Sequence, residues 1–157
     1  MQTFLTEIPQ ASTTGLDLNH YRLLTGFLDS SSTGAPAEIM QDIRITCISP
    51  TARTTLLRSL RSLVDTVGAR SKEEDGTLTY MAFESLDDEV GARIYGRWRT
   101  RGNLEHFIRG ADVNAFWTEN KELVKAMEQR LYVPNGKGWL HRGSGYAGEE
   151  KDGKAKI

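Results

Sequence analysis

The stretch from Asp75 to Val124, DGTLTYMAFESLDDEVGARIYGRWRTRGNLEHFIRGADVNAFWTENKELV, constrains the fold more than any other part of this chain. Its hydrophobic pattern reads strand, turn, strand, helix. In TLTYMAFESL, Leu78, Tyr80 and Ala82 alternate with Thr79, Met81 and Phe83, the two-residue period of a strand. LDDEVG is a polar turn. From Ala92 to Trp98 the alternation returns, with Ala92, Ile94, Gly96 and Trp98 on one side and Arg93, Tyr95 and Arg97 on the other. TRGN then leads into a helical stretch carrying Leu104, His106, Phe107 and Ile108. Gly110 breaks it, and Val113, Phe116, Trp117, Leu123, Val124 and Met127 continue on a second helical segment.

Upstream, Ile43, Ile45 and Cys47 alternate with Arg44 and Thr46, another strand. Ser49-Pro50 is a helix start, with serine as N-cap and proline at the first helical position. Leu56, Leu57, Leu60, Leu63, Val64 and Val67 form one stripe of that helix, and Gly68 is its expected stop. Arg130 to Val133 reads as a last strand, closed by Pro134-Asn135-Gly136. Residues 41–135 thus make the regular domain. Residues 1–40 form an N-terminal extension: Gln10 to Gly15 is polar, Ser30 to Pro36 is a flexible connector, and LDLNHYRLLTGFLD between them is a short docking helix or a strand. Residues 136–157, rich in glycine and charge, read as a flexible tail.

Such an order, without a glycine-rich phosphate loop, predicts an α+β fold: an antiparallel sheet with helices on one face. Both faces of the central strands carry apolar residues. Helices cover one, and a chain of 157 residues has little left to cover the other. A second copy is the simplest cover, so a homodimer packed through sheet faces is expected. Formal net charge is -1, which gives no electrostatic reason to expect nucleic acid or an anionic membrane as partner. The sequence has no apolar run long enough to span a bilayer, and MQTFLTEIPQ lacks the basic start of a secretory signal. The single cysteine, Cys47, forms no internal disulfide and fits a reducing compartment, so a cytoplasmic protein is expected.

DGTLTYMAF before the turn, RIYGRW closing the next strand and NLEHF entering the helix resemble the antibiotic biosynthesis monooxygenase family of dimeric α+β barrels. The resemblance covers about Asp42 to Val133. It implies a ferredoxin-like fold, a dimeric α/β barrel, and an activity related to cofactor-free oxygenation of aromatic polyketides. This chain departs from the family pattern in having Gly96 where an acidic residue often stands two before the tryptophan, and Ala111-Asp112 where a second histidine often follows the first. At the position of the iron-ligating histidine of haem-degrading relatives it has Trp117, which cannot ligate iron. No cofactor and no metal are expected; the three histidines lie in separate regions without metal-ligand spacing.

The expected pocket lies between sheet and helices. His106 is the candidate base, able to take a phenolic or enolic proton, with Tyr80 as the other catalytic candidate. The bland account of His106 is a residue capping the helix start or exposed at a dimer rim. Trp98 and Trp117 are expected to hold an aromatic ring, with Phe116 lining the pocket, and Asn103 and Asn114 to polarise a quinone-like oxygen. Trp98 is equally a core anchor and Asn103 equally a cap. The four arginines at 93, 97, 99 and 101 are expected to pair across the hairpin with Glu84, Asp87, Asp88 and Glu89. The functional reading is a cofactor-independent monooxygenase acting on an aromatic, polyketide-type small molecule. A cyclase or lyase using the same pocket without oxygen is the alternative, as is a ligand-binding or assembly protein without turnover.

Overall fold

The computed structural model describes residues 19–28, 36–70 and 75–134. The polar stretch Gln10 to Gly15, the connector before Pro36, most of the turn at Lys72 to Gly76, and the tail at 136–157 lie outside the described residues.

Five strands form one antiparallel sheet: β1 (Tyr21–Phe27), β2 (Ile39–Cys47), β3 (Thr77–Ser85), β4 (Gly91–Trp98) and β5 (Val124–Tyr132), in the order β1-β3-β4-β2-β5. Helix α1 (Pro50–Ala69) connects β2 to β3, and α2 (Arg101–Ile108) and α3 (Ala111–Asn120) connect β4 to β5. Without β1 the order β3-β4-β2-β5 is that of a ferredoxin-like α+β sheet. No described helix is long and apolar enough to cross a membrane.

Helix α1 forms where its caps say. The Ser49 hydroxyl accepts from the Ala52 N–H at 3.1 Å, and Pro50 stands in the first turn. Its stripe from Ala52 to Val67 is buried against the sheet. Full burial of each leucine there contributes on the order of 1.5–3 kcal/mol. Gly68 is not the stop. The helix runs one residue further, and the bare Gly68 backbone lies against the Phe27 ring of β1, where a Cβ would stand 3.4 Å from Cδ1.

The segment left as helix or strand is strand β1. It pairs with β3 from Tyr21↔Ser85 to Phe27↔Tyr80, with an irregularity between Leu23 and Thr25. Gly26 there has φ of 149°, and a Cβ would stand 2.7 Å from the Met81 Cα, so only glycine fits. The acids of the β3–β4 hairpin serve this strand rather than the neighbouring arginines. Arg22 bonds Glu84 at 2.5 Å, and Asp87 takes the His20 backbone N–H and ring. Arg93 turns instead to β2, where it forms a two-pronged pair with Asp42 at 2.6 and 2.7 Å. Glu84, Asp87 and Arg93 thus pair outside the hairpin, which corrects the cross-hairpin expectation at these three residues.

The second correction concerns the end of the domain. Leu123, Val124 and Met127 do not continue a helix. The buried Asn120 donates its side-chain N–H back to the Phe116 carbonyl at 2.8 Å as α3 ends, a single 3₁₀ turn follows, and β5 begins at Val124. Apolar residues at Val124, Met127 and Leu131 mimic a helical stripe, but β-pairing to β2 from Met40↔Tyr132 to Cys47↔Val124 wins.

Ile39, Gln41, Ile43, Ile45 and Cys47 of β2, with Tyr80 and Ala82 of β3 and Ala92, Ile94 and Trp98 of β4, are buried under the helices. The opposite sheet face carries Met40, Met81, Phe83 and Tyr95, none of them covered by a described helix. Trp98 is fully buried, and its ring folds back over Gly96: a Cβ on Gly96 would stand 2.2 Å from the Trp98 Cη2. Gly96→Ala is therefore expected to push the indole off its seat and destabilise the fold by about 2 kcal/mol, as overpacking does. A lowered midpoint in thermal unfolding checks this; an unchanged midpoint contradicts the packing.

Candidate functional site

A cavity of about 60 Å³ lies between sheet and helices, on the side where β2 and β5 pass beneath α2 and α3. Strands supply its floor: Gln41 and Ile43 from β2, Tyr80 from β3, and Met127 and Gln129 from β5. Helices supply its roof: Phe107 and Ile108 from α2, and Val113 and Trp117 from α3. The alternation of β2 aims Gln41 inward with Ile39 and Ile43, so an amide sits among apolar neighbours. Ile108 and Met127 are partly exposed at the mouth.

An aromatic cluster closes the back of the cavity. The Tyr80 ring lies 6.2 Å from Trp98 and 5.0 Å from Phe107, both edge-to-face, and Trp98 lies 5.2 Å from Phe107. The buried Trp98 Nε1 has no hydrogen-bond partner among the described residues. Trp98 is thus the core anchor behind the cavity wall, and not part of its lining. Its volume is one reason the space is small. A cavity that takes up benzene measures about 150 Å³, so a ring enters this one only if the mouth side chains swing aside.

The polar groups of the lining are a phenol and two amides. Burial pushes the Tyr80 phenol well above its ordinary value. Tyr80 is therefore a proton holder and a hydrogen-bond donor; it cannot act as a base near neutral pH. No other lining residue titrates.

The remaining expected site residues fall elsewhere. His106 is exposed in the last turn of α2, where an imidazolium would face the negative end of the helix, and it does not line the cavity. Asn103 is a capping residue. Its backbone N–H bonds the Thr100 hydroxyl at 3.1 Å, and its side-chain oxygen accepts from the Thr100 backbone N–H at 3.1 Å. Asn114 is exposed and donates its side-chain N–H to the Arg109 carbonyl at 3.0 Å, bridging the break at Gly110. Phe116 is buried against Trp117 and lines a separate surface groove between α1 and α3. Trp117 and Tyr80 are the expected residues that the fold brings together at the cavity. Gln41 and Gln129 are the lining residues that sequence reasoning missed. For Gln41 the signal was present, since extending the alternation of Ile43, Ile45 and Cys47 back by one step places a glutamine inward.

Because folded Tyr80 holds its proton above the ordinary phenol value of about 10, the unfolded chain ionises first. The stabilisation from this difference is intact below about pH 10 and is lost as pH rises beyond it. Tyr80→Phe should accordingly lose less stability than the parent between about pH 10 and 12. Denaturant unfolding of both proteins across that range measures it, and parallel losses would contradict the buried phenol.

No family model matches the sequence, and no curated protein matches it. Solved structures do match. A Pseudomonas aeruginosa protein is 21% identical with a TM-score of 0.55, over 64% of this chain and 96% of its own. A Deinococcus radiodurans protein provisionally named an antibiotic biosynthesis monooxygenase is 17% identical with a TM-score of 0.56, over 64% of this chain and 95% of its own. One of the same provisional name from Nitrosomonas europaea is 12% identical with a TM-score of 0.54, over 62% and 98%. The chain therefore has the ferredoxin-like α+β fold shared by these proteins, among them those provisionally named antibiotic biosynthesis monooxygenases.

Proposed function

We propose that the protein is a cofactor-independent monooxygenase for a small, easily ionised aromatic molecule bound at the cavity between sheet and helices. The observation that carries this reading is the convergence of the Tyr80 hydroxyl and the Gln41 and Gln129 amides in an apolar, Trp117-roofed cavity. The names of the structural neighbours support the reaction class by analogy of fold.

The chemistry follows from a lining without a base. In such a site the substrate arrives as, or readily becomes, its own phenolate or enolate. The Tyr80 hydroxyl and the amides hydrogen-bond the anionic oxygen, while Trp117 and Ile108 flank the ring. The electron-rich anion hands an electron to dioxygen, and an activated CH₂ beside the ring becomes C=O. One oxygen atom enters the product and the other leaves as water, so the substrate supplies every electron and no reductant is needed. His106, Asn103, Asn114, Phe116 and Trp98 have no direct part in this scheme.

The working unit in this proposal is a homodimer packed through the sheet face away from the helices. Support comes from that face itself, where Tyr21, Phe83, Arg93 and Tyr95 line an apolar hollow of about 210 Å³ and Leu23 protrudes beside Phe83.

A second reading, binding without turnover, is favoured by the 60 Å³ volume. A cyclase would convert its substrate without oxygen. Oxygen-electrode assays with anthrone-type phenols, in air and anaerobically, separate the three. The oxygenase reading expects uptake that rises with pH along the substrate's own ionisation. Trp117→Ala should lower kcat/KM at least tenfold, and His106→Ala should leave it within twofold. Ligand binding without oxygen uptake would replace the oxygenase with the binding reading, and anaerobic conversion would replace it with the cyclase.

A further inference from the structure

The outer edge of β5 faces no strand among the described residues, because β5 is the last strand in the sheet order. Nearly all of β5 is exposed. Met127 and Leu131 on the helix side are 52% and 45% exposed, and Tyr132 on the other side is 42% exposed. A nine-residue edge of this kind is a template for another strand, and most proteins blunt it.

We propose that β5 is an interface for a second copy of this chain, pairing antiparallel with its counterpart about a two-fold axis through Gln129. The side chains select both occupant and register. Two-fold pairing of a strand with itself preserves the faces only when the axis passes through a residue. An axis through Glu128 sets two carboxylates against each other, and one through Arg130 sets two guanidinium groups together. With the axis at Gln129, Glu128 faces Arg130 of the second copy and Met127 faces Leu131 of the second copy, each contact occurring twice, as an isologous interface requires. Ala126 then faces Tyr132 of the second copy, so the paired length runs from Ala126 to Tyr132, and Val124 and Lys125 lie beyond it.

The charge pattern of the sheet runs into this register. On the face away from the helices, Asp42 of β2 lies beside Arg130, and Arg44 lies beside Glu128. Within one copy Glu128 and Arg130 form an exposed pair at 2.6 Å. Across the axis the row continues Asp42, Arg130, then Glu128 and Arg44 of the second copy, with signs alternating at each step. On the helix side, Met127 lines the cavity mouth, so Leu131 of the second copy adds an apolar side chain beside it. That last point rests on the functional reading above; the interface itself does not. The edge contact and the face contact use different surfaces and can coexist.

Charge exchange tests the register. Glu128→Arg places two guanidinium groups face to face, and Arg130→Glu places two carboxylates together. Each single variant of the full chain should halve the mass measured by light scattering at the concentration where the parent is associated. The double variant E128R/R130E restores opposite charges across the axis and should restore the mass. Thermal unfolding verifies that the variants are folded. If the face contact also forms, the drop is from four copies to two; if it does not, from two to one. Either result leaves the edge proposal standing, and oxygen uptake is read separately. A parent that is monomeric, single variants that keep the parent's mass, or a double variant that fails to recover it would overturn the proposal.

Discussion

The seat of Trp98 over Gly96 governs the interior of this protein. Because residue 96 has no side chain, the indole folds back on its own strand and lies tilted against Phe107, with the Tyr80 ring edge-on to both. That cluster joins β3 and β4 to α2. It also takes up volume that a ligand would otherwise use, and it leaves a small space displaced toward β5 and α3. The size of the cavity and the burial of the Tyr80 phenol are thus two results of one packing choice.

The cavity is neutral, and this restricts what its chemistry can be. A buried phenol without a charge partner keeps its proton, and amides neither give nor take one at ordinary pH. In the proposed function, catalysis would come from holding and orienting a group that is already reactive. An exposed histidine at a helix end contributes to the helix, where its position relative to the last carbonyls accounts for it.

Much of the fold was legible in the chain. The period-two alternation of Ile43–Cys47, Leu78–Phe83 and Ala92–Trp98 marks the three central strands, and Ser49-Pro50 marks the start of α1, because local chemistry and burial agree at these places. The misreadings arose where long-range contacts decide. Val124, Met127 and Leu131 have helix-like spacing, and only the hydrogen bonds offered by β2 make them a strand. Gly68 looks like a stop, but α1 continues through it to Ala69 with its backbone against Phe27, some forty residues earlier in the chain. The candidate site was harder to read. Tyr80 and Trp117 belonged to apolar patterns and could be placed inward. His106 faces solvent because Leu104 and Phe107 take the buried face of α2, and Asn103 is the cap that the sequence offered as its alternative.

Strand β1 has a consequence for how the molecule can grow. It carries an irregularity between Leu23 and Thr25 and a glycine with positive φ, and its charged groups are tied to the β3–β4 hairpin. The margin it presents is therefore bent and poorly suited to accept another strand, whereas β5 is irregular only at its start, between Val124 and Ala126, and pairs regularly with β2 from Ala126 to Tyr132. A ribbon with one receptive border and one refractory border can zip to its mirror in orientation once and then has nothing left to offer. Such polarity would stop edge-to-edge growth of the sheet itself at two copies.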